Sequence, residues 1–187
     1  MNKIIITFIT ILFLTSISTA QEKVEINIEK STIKWIGEYT FYFGGHDGFI
    51  NFKEGYFIKT DKVITGGEFI IDMNSIVNTD IKEKSPRENL VDHLKKPDFF
   101  DVKKYPLAKL VITKVEYSDK THARIEANLT VKEITKPINF RVEFNYDKKK
   151  MKTRFKIDRK KWNVNYQSKF KDSAISDAIG FEVSIKL

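Results

Sequence analysis

Hydrophobic residues recur at every second position over most of this chain, and that spacing leaves few folds open. In residues 33–43 the odd positions are Ile33, Trp35, Gly37, Tyr39, Phe41 and Phe43, with Lys34, Ile36, Glu38 and Thr40 between them. Gly67, Phe69, Ile71 and Met73 oppose Glu68 and Asp72. Ala123, Ile125, Ala127, Leu129 and Val131 alternate with His122, Arg124, Glu126, Asn128 and Thr130. Residues 138–146, 151–157 and 179–187 repeat the pattern. Successive side chains of a strand point to opposite faces, so each run reads as a strand with one apolar face. Residues 49–57 and 109–116 bring the total to about eight strands.

Turn signals punctuate these runs. They are Gly44-Gly45-His46-Asp47-Gly48, Thr60-Asp61-Lys62, Thr65-Gly66-Gly67, Ser118-Asp119-Lys120 and Asp147-Lys148-Lys149-Lys150. Loops this short favour antiparallel neighbours in a meander. One segment departs from the alternation. Ser85 reads as an N-cap, Pro86 as the first helical residue, and Glu88 as the partner in a capping box. Leu90 and Leu94 share a face, and Pro97 ends the turn ahead of Phe99-Phe100. A single short helix cannot cover so many one-sided strands. Their apolar faces must meet each other, in a sandwich or a closed barrel. Eight strands can close around packed side chains or around one ligand. The inward aromatics Trp35, Tyr39, Phe41, Phe43, Phe69, Phe140, Phe144, Phe155 and Phe181 suit either outcome.

The N-terminus carries an address. Lys3 precedes an apolar run over residues 4–14, and Ser18-Thr19-Ala20 supplies small residues ahead of a cleavage point. This is the pattern of a secretory signal peptide over residues 1–20, cut near Ala20-Gln21. The run is too short to span a bilayer, which takes about 20 apolar residues. Residues 21–187 then form one domain, exported to the periplasm or secreted. The chain has no cysteine, so burial alone must stabilise it. Loss of Lys3 takes the formal charge from +8 to +7. Export separates this basic surface from nucleic acid and leaves anionic lipid headgroups within its reach.

Chemistry-bearing constellations are sparse. The three histidines are His46, His93 and His122, and none has a second His two to four residues on, as zinc sites commonly do. There is no Gly-x-Ser-x-Gly elbow, and no Ser has an evident His and acid partner. No pair of carboxylates stands out for glycosidase chemistry. The expectation is a non-enzymatic protein without metal or cofactor.

Longer motifs carry a resemblance. They are Thr32-Ile33-Lys34-Trp35, Gly45-His46-Asp47-Gly48, and Gly67-Glu68-Phe69-Ile70-Ile71-Asp72-Met73-Asn74-Ser75-Ile76. A long run follows, His93-Leu94-Lys95-Lys96-Pro97-Asp98-Phe99-Phe100-Asp101-Val102-Lys103-Lys104-Tyr105-Pro106, then Leu129-Thr130-Val131 and Phe155-Lys156-Ile157-Asp158-Arg159. Their order resembles the YceI-like family across nearly all of residues 21–187. The resemblance implies an all-β fold: an antiparallel eight-stranded lipocalin-like β-barrel with one short helix in a long connection. It also implies a long isoprenoid or acyl-chain lipid held inside the barrel. Two positions depart from the family pattern. Glu133 and Asn163 stand where the family favours Gly. Asn tolerates a left-handed backbone, whereas Glu133 puts the local hairpin geometry in question.

On that resemblance, the alternating faces place a lumen at Trp35, Tyr39, Phe41, Phe69, Ile71, Leu110, Ile112, Leu129, Phe140, Val142, Phe144, Phe155, Ile157 and Phe181. Polar candidates for a headgroup at the barrel mouth are His46, Asp72, Ser75, Asp158 and Arg159. Arg159 reads first as a structural ion pair with Asp158, and second as a bidentate phosphate holder. Leu94, Phe99 and Phe100 could form a lid over the mouth or plug a hydrophobic gap. Lys148, Lys149, Lys150, Lys152, Arg154 and Lys156 read as a solvated outer face that could meet an anionic membrane transiently. The competing function is a filled β-sandwich acting as a protein-interaction module. Oligomeric state is open, with a dimer allowed.

Overall fold

The computed structural model describes residues 20–40, 43–167 and 175–187. In chain order the elements are β1 (Gln21–Glu25), β2 (Thr32–Tyr39), β3 (Gly45–Thr60), β4 (Val63–Asn78), α1 (Lys84–Lys95), β5 (Leu107–Tyr117), β6 (His122–Val131), β7 (Ile134–Asn145), β8 (Lys150–Asp158) and β9 (Ile175–Lys186). From β2 to β9 each strand pairs antiparallel with the next. β9 then pairs back onto β2, with Trp35 opposite Phe181. That last pairing closes an eight-stranded barrel and excludes the open sandwich.

Closure lines the expected apolar faces into rows. Trp35, Phe181 and Phe155 are cross-strand partners in turn, as are Phe69, Leu110 and Leu129. β1 pairs with the half of β3 beyond the stretch that holds β2. Its sequence, Gln21-Glu22-Lys23-Val24-Glu25, has no apolar alternation and is mostly exposed, so period-two reading passes over it.

The β3–β4 hairpin is longer than the sequence suggests. Each strand has 16 residues, about 50 Å at the usual rise. Three register shifts bend the pair around the barrel. Thr65-Gly66-Gly67 is therefore not a turn but part of β4, near its start. A Cβ on Gly67 would lie 2.7 Å from the Tyr56 carbonyl oxygen, so close strand approach explains that glycine. The reversal is at Asp61 and Lys62, both with positive φ (49° and 72°), as a type I′ turn requires. Gly45 to Gly48 likewise begin β3 instead of looping. A Cβ on Gly48 would sit 1.8 Å from the Val77 carbonyl oxygen.

α1 begins at Lys84, two residues earlier than expected, with Glu83 at the N-cap and no side-chain cap. The Ser85–Glu88 capping box does not form. Pro86 is accommodated because the amides of a first turn lack helical partners in any case. Leu94 is buried and Leu90 packs on the core, as their spacing predicts. Three hairpins, β3–β4, β5–β6 and β7–β8, gather at one end of the barrel. Phe57, Tyr117, Phe144 and Tyr146 stack there, with centroids 5.7–6.2 Å apart. The Tyr117 hydroxyl donates to the Ile64 carbonyl at 3.0 Å and shares a 2.7 Å bond with the Tyr146 hydroxyl. Burial and that bond push its pKa well above the ordinary value, so it stays neutral. The opposite end carries the β2–β3, β4–β5, β6–β7 and β8–β9 connections and forms the mouth.

Candidate ligand cavity

Between the aromatic plug and the mouth lies a cavity of about 400 Å³. That is within the range of small-molecule pockets, roughly 300–1,000 Å³. Its wall is almost wholly apolar because the eight barrel strands, β2 to β9, turn their hydrophobic faces inward. Of the residues expected there, Trp35, Tyr39, Phe69, Ile71, Leu110, Ile112, Leu129, Phe140, Phe155, Ile157 and Phe181 are on the wall. Phe140 and Phe155 stack at 4.6 Å, and Phe155 meets Phe181 at 5.5 Å. Val142 and Phe144 are buried but off the wall. Phe144 belongs to the plug, because β7 continues past the lumen toward the closed end. Phe41 lies outside the described residues. Phe43 follows the end of β2 and is fully exposed, so the inward stripe stops before it.

Several wall residues went unforeseen. Ile50, Phe52 and Phe57 come from β3. The register shift between Phe52 and Glu54 swaps the inward positions from even to odd, and this hides the stripe. Met73 and Ile76 lie within a separate irregular stretch of β4, between Asp72 and Val77, opposite the shift between Phe49 and Asn51. Trp162, Val164 and Tyr166 follow β8, where no strand periodicity applies. Trp162 is buried and donates its indole N–H to the Leu129 carbonyl at 3.0 Å.

Leu94, Phe99 and Phe100 all reach the cavity from the β4–β5 connection. Phe99 stacks edge-on with Phe100 at 4.9 Å and lies near His93, whose ring meets Tyr166 at 4.3 Å. The connection is tied across the mouth by Lys132, in the β6–β7 turn. Its ammonium donates to the carbonyls of Phe99 (2.9 Å), Asn163 (3.2 Å) and Pro97 (3.4 Å).

The five polar candidates divide. Asp72 and Ser75 do not line the cavity. The Ser75 hydroxyl donates to the Asp72 carbonyl at 2.6 Å and accepts from the Asn51 amide at 2.7 Å, which fixes the β3–β4 irregularity. Asp158 is exposed and caps the turn at Arg159–Trp162, accepting from the Lys160 amide at 3.0 Å. It is not the ion-pair partner of Arg159. That partner is Asp177 at the start of β9, 3.2 Å away. Chain reversal after β8 carries the guanidinium away from its sequence neighbour. Arg159 is 2% exposed, touches the cavity, and also donates to the Ser176 and Val164 carbonyls. Burial pulls its pKa down, against the opposing pull of Asp177 and Asp158.

His46 is at the mouth on the cavity wall, within a hydrogen-bonded chain. Its Nε2 is 3.0 Å from the Tyr39 hydroxyl and its Nδ1 is 2.8 Å from Asp80 Oδ2. Asp80 Oδ1 accepts from the Asp47 amide at 2.9 Å and from the Asn78 side chain. Asp80 was not a sequence candidate, since nothing local marks it. Among the described residues no cluster of His, Asp and Glu is placed to hold a metal.

A closed antiparallel barrel around an apolar cavity defines a class: small barrels suited to a hydrophobic ligand. Comparison with known proteins narrows the class. The YceI-like domain profile matches residues 16–187, and the chain belongs to that family. A UPF0312 protein of Pseudomonas putida is 38% identical over 74 residues, a match spanning 38% of this chain and 38% of that relative. A UPF0312 protein of Pseudomonas syringae pv. tomato is 36% identical over the same length. Among solved structures, Burkholderia cenocepacia BcnA is 17% identical, with a TM-score of 0.64 over 86% of this chain and 98% of its own. The Campylobacter jejuni YCEI protein is 18% identical, with a TM-score of 0.50 over 96% and 91%. At such identities the two structures establish the fold.

Proposed function

We propose that the protein is an exported carrier that holds one long apolar chain, isoprenoid or acyl, along its barrel for transport or storage. The observation that carries this reading is the continuous apolar cavity between the Phe57–Phe144 plug and the Phe99 lid. A chain buried there gains about 0.8 kcal/mol per methylene, so a medium-length lipid binds without any catalytic group. Selectivity along the chain is weak, because one methylene discriminates poorly. The signal-like residues 1–20 support delivery to the periplasm or beyond. Lys148, Lys149, Lys150 and Lys152 support brief contact with an anionic membrane during loading. Arg154 and Lys156 contribute less to it, being paired with Glu182 and Glu38.

Native mass spectrometry of protein purified from its own host tests the carrier reading. A co-purified long-chain lipid at one per protein is the expected result. A bare protein mass, unchanged after incubation with isoprenoids and fatty alcohols, would overturn it. Vesicle co-sedimentation tests the membrane contact. Replacing Lys148, Lys149, Lys150 and Lys152 by Gln should reduce binding to phosphatidylglycerol vesicles, and undiminished binding rejects the contact.

A further inference from the structure

We propose that Tyr39, positioned by His46 and Asp80, is a headgroup site that accepts a hydrogen bond from a ligand hydroxyl or amide N–H. This inference rests on the carrier reading and adds which end-group the barrel favours.

Asp80 sits just beyond β4 and receives donors from the Asp47 amide, the Asn78 side chain and His46. Burial raises its pKa, but those donors outweigh it and hold the carboxyl below its ordinary range. Asp80 is thus ionised and can only accept. His46 Nδ1, 2.8 Å from it, must therefore carry the proton. In the neutral ring that leaves Nε2 with a lone pair and no hydrogen. The Tyr39 hydroxyl, 3.0 Å from Nε2, spends its only hydrogen on that lone pair. What the phenol oxygen then offers the lumen is lone pairs alone. Tyr39 and His46 both stand on the cavity wall at the mouth, where one end of a chain threaded from the plug would arrive.

The arrangement discriminates by hydrogen-bond polarity. A terminal alcohol or primary amide has the hydrogen that Tyr39 lacks. An ether or ester of the same length offers only acceptors, which face an acceptor. A carboxylate adds charge repulsion from Asp80. One neutral hydrogen bond corresponds to a preference of about two- to ten-fold.

The test compares hexadecanol, its methyl ether and hexadecane as ligands of the intact protein at mildly alkaline pH, with affinities from competitive displacement of a fluorescent lipid. Wild type should favour the alcohol over the ether by that factor. Tyr39→Phe should bind hexadecane as wild type does and lose the preference. Equal affinities for alcohol and ether in wild type overturn the site, as does a preference that survives in Tyr39→Phe. The wild-type comparison needs no variant, and ¹⁵N NMR of the His46 ring checks the geometry separately. A proton on Nδ1 is expected, and one on Nε2 reverses the polarity and defeats the proposal. Failure of all three ligands to bind would reject the carrier reading itself.

Discussion

Arg159 and Asp119 show how much one side chain can hold in this fold. Arg159 secures the start of β9 to the chain leaving β8 through the Ser176 and Val164 carbonyls and Asp177. Replacing it with Met keeps bulk but leaves those carbonyls without their donor. At about 1–3 kcal/mol for each orphaned buried group, Arg159→Met should cost about 2–4 kcal/mol in urea unfolding. Lys has one ammonium where three directed donors are needed, so Arg159→Lys should recover less than half of the loss. Asp119 acts at the β5–β6 hairpin. Amide hydrogen bonds from Thr121 and His122, with smaller help from their side chains, hold its pKa at about 2. A carboxyl with a depressed folded pKa adds stability above its unfolded value, near 4, and loses it as pH falls toward 2. The melting-temperature gap between wild type and Asp119→Ala should therefore be full at neutral pH and close between about pH 4 and pH 2. At this scale the sequence was least legible. Asp119 was readable as a turn residue. The partner of Arg159 was not, because it lies across a chain reversal that no local pattern describes.

The β6–β7 hairpin is where one element strains against its own sequence. Its two turn residues, Lys132 and Glu133, both take positive φ, 49° and 61°. A type I′ turn demands this of both positions, which is why Asn-Gly and Asp-Gly dominate such turns. Glu133 therefore answers the question its departure from the family raised: the hairpin forms, at a conformational cost. Lys132 offsets part of that cost by donating to three carbonyls, two of them in the β4–β5 connection. Glu133 makes no such bond among the described residues and is exposed. Glu133→Gly should thus stabilise the protein by about 1 kcal/mol, read as a rise in the urea midpoint at constant slope. Lys132→Gly relieves the same strain but frees the β4–β5 connection, so it should give no gain and speed hydrogen exchange at Phe99 and Phe100. Asn163 needs no such correction, for its φ of 56° is one that Asn adopts readily. Strands were legible where alternation ran unbroken, as in β6, β7 and β9. They blurred at β3 and β4, whose register shifts reset the alternation partway along.

For the whole molecule, the open question in the sequence was whether the inward aromatics fill the barrel or surround a space. Alternation reports which face is apolar and says nothing of how far opposite walls stand apart. That distance follows from strand number and closure, fixed here by the pairing of β9 with β2. The resemblance to a family of hollow barrels supplied what periodicity could not. A substitution on the wall separates the two architectures energetically. Ala108 on β5 is buried, faces the cavity and stands opposite Ile71. In a packed core, Trp at such a site forces neighbours off their rotamers and costs about 1–3 kcal/mol or more. Against a cavity the ring enters space that no side chain occupies, and its burial offsets local strain. Ala108→Trp should thus unfold in urea within about 1 kcal/mol of wild type while losing most of its long-chain ligand in native mass spectrometry. Large destabilisation with ligand binding intact would place the ligand elsewhere and return the barrel to a filled core. Retained stability with lost binding would locate the chain between the plug and the lid, where wall, end-group site and Lys132 tether converge.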